Sequence, residues 1–148
     1  LGYSHHQYIK EEILIPLELN NTFFSIKEVD LDNVMSGYYV GIEDDFKANE
    51  NGMLATAQDV GIFLRALNDG SVFNEGEKEI YSSIYVYKHG GLVPGYQSLA
   101  EYHKGIDAIV VQFINTTDFE GYDWNLSEII YNRIVKILKK KSRKKNNK

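Results

Sequence analysis

Apolar residues recur along this chain at two distinct spacings, and where each spacing stops and starts outlines the elements. Tyr8, Ile9, Glu12 and Ile13 fall at i, i+4 intervals, so residues 3–14 are expected to form a helix that Pro16 closes. From 15 to 52 no period is sustained and Asn, Asp and Gly recur, which predicts a long irregular stretch of the kind that often walls a binding site. Thr56 then caps a second helix with Asp59 three residues on. Its apolar face is Val60, Phe63, Leu64 and Leu67, and Gly70 ends it. Ile84–Tyr87 is a short β-branched and aromatic run. Residues 96–103 and 106–115 alternate or run apolar around Lys104-Gly105, predicting a hairpin whose second strand is buried on both faces. Finally Trp124–Leu138 is amphipathic at helical spacing through Leu126, Ile129, Ile130, Ile134, Ile137 and Leu138. Helices followed by antiparallel strands and a last helix make the class α+β, an antiparallel sheet packed by helices.

Composition narrows the functional classes. The 148 residues suffice for one cored domain, and 43% hydrophobic with 25% charged is ordinary for a globular chain. No apolar run reaches the ~20 residues of a membrane span, and Ser4-His5-His6-Gln7 stands where a leader would carry apolar residues. Without cysteine there are no disulfides or thiolate metal sites, and the compartment cannot be read from redox chemistry. The net charge of −5 conceals a polarity. Residues 139–148 hold seven of the 16 basic residues and no acid, leaving 16 − 7 = 9 basic against 21 acidic elsewhere. The organisation expected is a body at 1–138 and a basic, frayed tail at 139–148. The acidic body is a poor nucleic-acid platform, so no nucleic-acid partner is expected.

Candidate chemistry concentrates in His89-Gly90-Gly91-Leu92-Val93-Pro94-Gly95-Tyr96. Three glycines and a proline allow close approach of another group, and His89 adds an imidazole; an ordinary loop before a hairpin remains the alternative. His5 and His6 are adjacent and diverge on a helix, and with His103 they are read as surface histidines. Glu43-Asp44-Asp45 lacks the spacing of a calcium loop and reads as a solvated charge run. Tyr38, Tyr39, Tyr81, Tyr85 and Tyr87 could line a groove or simply pack. No metal site and no cofactor is expected.

Several segments, in order, resemble the class C β-lactamase and D-alanyl-D-alanine carboxypeptidase group of penicillin-recognising serine hydrolases. Tyr8–Thr22 is similar to a family helix followed by "PLGM-x-NT", and Gly37-Tyr38 to its "GY". Asn51–Val60 resembles "GGL-x-STA-x-DL". His89-Gly90-Gly91 stands where the family carries its third motif, H-x-G or K-T-G, before "PGY", and Ile109–Asn115 resembles the following strand, ending in Asn.

The resemblance implies a partial β-lactamase/transpeptidase-like fold and acyl transfer on a peptidoglycan-type D-Ala-D-Ala peptide or a β-lactam. His89, Gly90, Gly91 and Leu92 would then be the substrate-binding residues, with the Leu92 N–H as oxyanion donor. Gly90 replaces the frequent Thr or Ser, removing a hydroxyl contact. The Ser-x-x-Lys nucleophile motif and Tyr-x-Asn are missing. Ser142-Arg143-Lys144-Lys145 fits the first pattern only inside the basic tail, and a "Y-G-x-G-W" strand has no counterpart between Ile80 and Lys88. No catalytic residue can therefore be named in this chain. It reads as the C-terminal portion of a hydrolase, inactive alone, or alternatively as a non-catalytic interaction or scaffold module. In the family, the strand matching Ile106–Asn115 pairs with an N-terminal strand not found here, so self-association or a complementing N-terminal fragment is expected at that edge. Family analogy points to an extracytoplasmic or membrane-associated setting.

Overall fold

The structure, a computed structural model, describes residues 2–48, 52–84, 88–121 and 123–146. These form two compact units, one from residues 1–34 and 48–87, the other from 35–47 and 88–148.

In the first unit Ser4 caps helix α1 (His5–Ile9) by accepting the Gln7 N–H at 3.2 Å. The helix widens into a π-helical turn over Lys10–Leu14, where Ile15 N–H donates to Lys10 O and Leu19 N–H to Leu14 O. The widening falls next to Pro16, which has no N–H to offer the helix. Strand β1 (Thr22–Phe23) pairs antiparallel with β3 (Leu54–Ala55). Helix α2 (Ala57–Asp69) begins at Thr56, whose hydroxyl accepts the Asp59 N–H, and ends at left-handed Gly70, as the sequence predicts. Asp59 does not reach back to the cap residue. Its carboxylate is buried and accepts from Asn21 N–H at 2.9 Å and Thr22 Oγ1 at 2.8 Å, tying the loop before β1 to the helix start, where a negative charge is favoured.

A helix that the sequence analysis does not anticipate, α3 (Glu75–Ile84), follows. Its start is a reciprocal cap: Glu77 N–H donates to Asn74 Oδ1 and Asn74 N–H to Glu77 Oε2. Ile84 thus ends a helix, and the remainder of the Ile84–Tyr87 run lies outside the described residues, as do Asn51, Tyr85 and Tyr87.

The second unit is built on a three-stranded antiparallel sheet in the order β4–β5–β6, with β4 at Lys88–Val93, β5 at Tyr96–His103 and β6 at Ala108–Ile114. A parallel two-residue pair, β2 (Tyr38–Tyr39) with β7 (Thr116–Thr117), continues from the end of β6. Helix α4 (Asp123–Asn146) crosses one face of the sheet. Alternation along β5 turns Leu99 and His103 toward α4, and Leu99, Val110, Tyr131 and Val135 form the core, with Leu138 against it.

Three sequence expectations change here. Strand β6 is not buried on both faces: Val110 is at the core, while Phe113 is exposed. The core-facing stripe of α4 is Ser127, Tyr131, Val135 and Leu138, not the isoleucines. Leu126, Ile129, Ile130, Ile134 and Ile137 are exposed, because a three-stranded sheet covers only one stripe of a helix. His103 is not a surface histidine. It is buried, with Nε2 3.1 Å from the Tyr131 hydroxyl and Nδ1 3.5 Å from Glu101. The basic segment continues α4 as far as Asn146. No helix among the described residues is long and apolar enough to cross a membrane.

Candidate substrate-binding edge

His89, Gly90, Gly91 and Leu92 all lie on β4, an edge strand, and all are exposed. Pro94-Gly95 joins β4 to β5 in a two-residue loop closing on the Val93–Tyr96 pair. In an antiparallel ladder hydrogen-bonded and non-hydrogen-bonded pairs alternate. Val93–Tyr96 is of the first kind, since a two-residue loop makes residues 93–96 a β-turn closed by the Tyr96 N–H to Val93 C=O bond. Gly91–Ser98 and His89–Ala100 are therefore bonded pairs, and the N–H groups of Leu92 and Gly90 point away from β5 to the open edge. The edge thus offers two outward backbone donors in a row.

The side chains divide between the faces. Gly90 and Leu92 are across from Leu99 and Gln97 on the α4 side, and His89 and Gly91 are across from Ala100 and Ser98 on the other. A hollow of about 170 Å³ is lined by Gly90, Gly91, Leu92 and Gln97 from the sheet and by Ser127 and Glu128 from α4. Glu128 also pairs with Lys88 at 3.0 Å, fixing the start of β4 against the helix. A larger concavity of about 650 Å³ runs along the basic face of α4 and shares no residue with this edge.

The two central glycines are not equivalent. A methyl group at Gly91 would sit 2.6 Å from Ser98 Oγ, whereas at Gly90 the nearest atoms would be Leu99 Cδ2 at 3.6 Å and Ser98 O at 3.7 Å. A side chain at position 91 would make the Ser98 hydroxyl swing aside, while position 90 has room for one.

What the sequence did not connect is the bracket that holds the turn. Gly95 has φ +88°, and its N–H donates to the buried Thr117 Oγ1 at 2.7 Å. Gly37 lies so near that a methyl group at Gly95 would stand 3.1 Å from Gly37 Cα, and one at Gly37 would stand 2.5 Å from the Tyr96 ring. Tyr96 donates its hydroxyl to Met35 O at 2.7 Å, and Asn115 Nδ2 donates to Ser36 O at 3.0 Å. Tyr38 N–H and Val40 N–H donate to Asn115 O and Thr117 O. Burial, reinforced by Asp45 and Tyr38, pushes the Tyr96 phenol above its ordinary range, which keeps it a donor. Asp45 is not merely a solvated charge: it accepts from Lys47 N–H at 2.9 Å and Gly37 N–H at 3.0 Å. These bonds, with the Ser36 hydroxyl and the Lys47 charge, hold its carboxyl below the usual range, the Lys47 N–H contributing most. Gly37, Tyr96 and Asn115 were legible singly through the family resemblance; their meeting was not.

The remaining candidates have other places. His5 and His6 are exposed on α1, with His6 against Phe24. Tyr39 packs edge-on to Phe119 and near Phe46, Tyr38 is exposed, and Tyr81 lies tilted against Phe73 in the first unit.

No protein-family model and no curated protein matches the sequence. Solved structures do. D-amino acid amidase from Ochrobactrum anthropi SV3, in its complex with D-phenylalanine, superposes with a TM-score of 0.65 at 18% identity, over 88% of this chain and 55% of the amidase. The same enzyme with L-phenylalanine amide gives 0.67 at 16% identity, over 96% and 52%. The chain spans about half the length of the structures it matches. What is shared at such identity is the fold, and this chain has a β-lactamase/transpeptidase-like fold, mixed helix and antiparallel sheet.

Proposed function

We propose that this chain is the substrate-binding portion of a penicillin-binding, β-lactamase-like serine hydrolase, and that it lacks the reactive centre. The outward N–H groups at the open edge of β4 carry this reading, together with the fold that the chain shares with an amidase. In the proposed reaction a serine hydroxyl of a complementing segment adds to the carbonyl of a D-aminoacyl amide, peptide or β-lactam; its proton passes to a base of that segment and then to the scissile nitrogen, whose bond to carbon breaks to leave the acyl-serine. The Leu92 N–H donates to the oxyanion, and Gly90 and Gly91 allow the acyl group to lie along the strand. His89, at the start of this edge, would bind the substrate carboxylate. Neither Ser-x-x-Lys at a cleft nor Tyr-x-Asn is among the 148 residues, and the one Ser-x-x-Lys, at Ser142, is on the last turns of α4.

The test is labelling by a fluorescent penicillin, read by intact mass. Alone, the chain should form no adduct, and a stoichiometric acyl-chain would overturn the proposal. With a separately supplied polypeptide carrying the two missing motifs, the adduct should appear on that polypeptide. Leu92→Pro should then slow acylation about 10²–10³-fold, the cost of one oxyanion donor. Proline is tolerated there because the lost N–H faces away from the ladder.

The second reading is a non-catalytic interaction module, favoured by the other edge of the sheet. Among the described residues the outer edge of β6 pairs with no strand, although Ile109, Val110, Val111, Phe113 and Ile114 make it apolar. Ile130 and Ile134 flank it, since Gln112 on β6 bonds Ser127 and both isoleucines follow Ser127 on that side of α4. We place a second copy or a complementing strand at this edge. Light scattering should show association that grows with concentration and is reversed by Val111→Lys; a monomer throughout would count against it.

A further inference from the structure

Beyond Glu128 helix α4 contains no acidic residue, and residues 129–146 carry eight basic ones. The rest of the chain therefore has 16 − 8 = 8 basic against 21 acidic residues. At 3.6 residues per turn, Arg133, Lys136, Lys140, Arg143 and Lys144 fall on the side of α4 opposite Tyr131, which is the residue buried against the sheet. All five are exposed, and among the described residues none has a carboxylate within ion-pair range. On the same outward face stand Leu126, Ile129 and Ile137, exposed at 57%, 47% and 56%.

From this we infer that the outward face of α4 is a docking surface for an anionic lipid bilayer, lying in the plane of the interface with its isoleucines at the headgroup–acyl boundary. The argument is charge complementarity joined to apolar placement. A row of cations without acidic neighbours is drawn to any polyanion, but only a lipid surface also rewards burial of the isoleucines interleaved with it. A nucleic-acid duplex would leave those side chains in water, and the acidic remainder of the chain would repel its extended backbone. The face is separate from the β4 edge and from the β6 side of the helix, so the inference does not depend on the proposed hydrolase chemistry.

Co-sedimentation of the full chain with unilamellar vesicles tests it. Vesicles of one-third phosphatidylglycerol in phosphatidylcholine should retain the chain, pure phosphatidylcholine should not, and added salt should release it. Replacing Lys136, Lys140, Arg143 and Lys144 together by Gln should lower partitioning a hundredfold or more, at about fivefold per charge. Ile129→Ser with Ile137→Ser should lower it about tenfold at unchanged charge. A matched Lys→Arg variant at positions 136, 140 and 144, which keeps both charge and helix, should bind like the parent. Equal binding to neutral and anionic vesicles, or undiminished binding by the Gln variant, would overturn the inference. So would full displacement from vesicles by duplex DNA at equal phosphate concentration together with indifference to the isoleucine changes, which would identify the face as a nucleic-acid surface.

Discussion

Tyr131→Ala is expected to destabilise the second unit by about 3–5 kcal/mol, the range for removing a buried aromatic side chain, and to detach α4 from the sheet. Tyr131 is 2% exposed and sits in the small core with Leu99, Val110 and Val135. Its hydroxyl also donates to Val110 O at 3.2 Å and meets His103 Nε2 at 3.1 Å, so its loss leaves two buried polar groups without that partner. Because a domain of this size is stable by only ~5–15 kcal/mol, the loss removes a large share of its stability. Urea unfolding followed by circular dichroism decides the matter, and Tyr131→Phe, which keeps the ring, should cost only about 1 kcal/mol. A variant as stable as the parent would mean that α4 is not held by this residue.

The same residue sets an alkaline limit. Burial, with a contribution from Glu101, pushes the Tyr131 phenol from 10.0 up to about 12. A raised folded pKa means that the native state favours the protonated form. The stabilisation is thus fully present below pH 10 and is lost as pH rises from there through about 12. Its size is on the order of 2–3 kcal/mol. Stability should therefore fall steeply between these limits in the parent and less so in Tyr131→Phe.

The second large effect is expected at Gly95. Gly95→Ala forces a left-handed φ of +88° on a residue with a Cβ and sets that Cβ 2.8 Å from Phe46 Cβ and 3.1 Å from Gly37 Cα. The backbone of Gly37 cannot turn aside as a flexible side chain would, so the hairpin must shift and the Gly95 N–H to Thr117 bond is strained or lost. We expect about 3 kcal/mol or more in total, 1–2 from the dihedral and the rest from the contact. Gly41 provides the control. Its φ is +83° but nothing lies within 4 Å of its would-be Cβ, so Gly41→Ala should cost only the dihedral contribution. Amide exchange at Thr117 and along β4 should quicken in Gly95→Ala and not in Gly41→Ala. Equal losses in the two variants would show that the Gly37–Gly95 contact carries no weight.

Gly95 also marks the boundary between what the sequence and the tertiary structure each decide. The residues around it are legible in the chain, since Val-Pro-Gly-Tyr between apolar runs specifies a two-residue hairpin by local dihedral preference alone. Helix α2 is equally legible, because Thr56, the apolar spacing and Gly70 act within one element. The start of α3 was legible too, in Asn74-Glu75-Gly76-Glu77, with Ile80, Tyr81 and Ile84 following at helical spacing. The motif at 89–92 was identifiable from its glycines, and strand register with the two-residue turn then directs the Leu92 donor to the open edge.

Other features could not be read along the chain. Which stripe of α4 is buried depends on how many strands lie beneath it. Three strands cover Tyr131 and Val135 and leave the isoleucines exposed, against their hydrophobicity. His103 is buried because β5 alternation places it on the α4 face opposite Tyr131. Gly37 and Gly95 need their lack of a side chain on account of each other, 58 positions apart in the numbering. By itself the sequence determined helix α2, the turn and the location of the glycine edge, all set by short-range dihedral and spacing preferences. Only the tertiary structure decided which faces are covered and which distant residues hold that edge in place, because burial and close approach belong to pairs of segments that the chain order does not bring together.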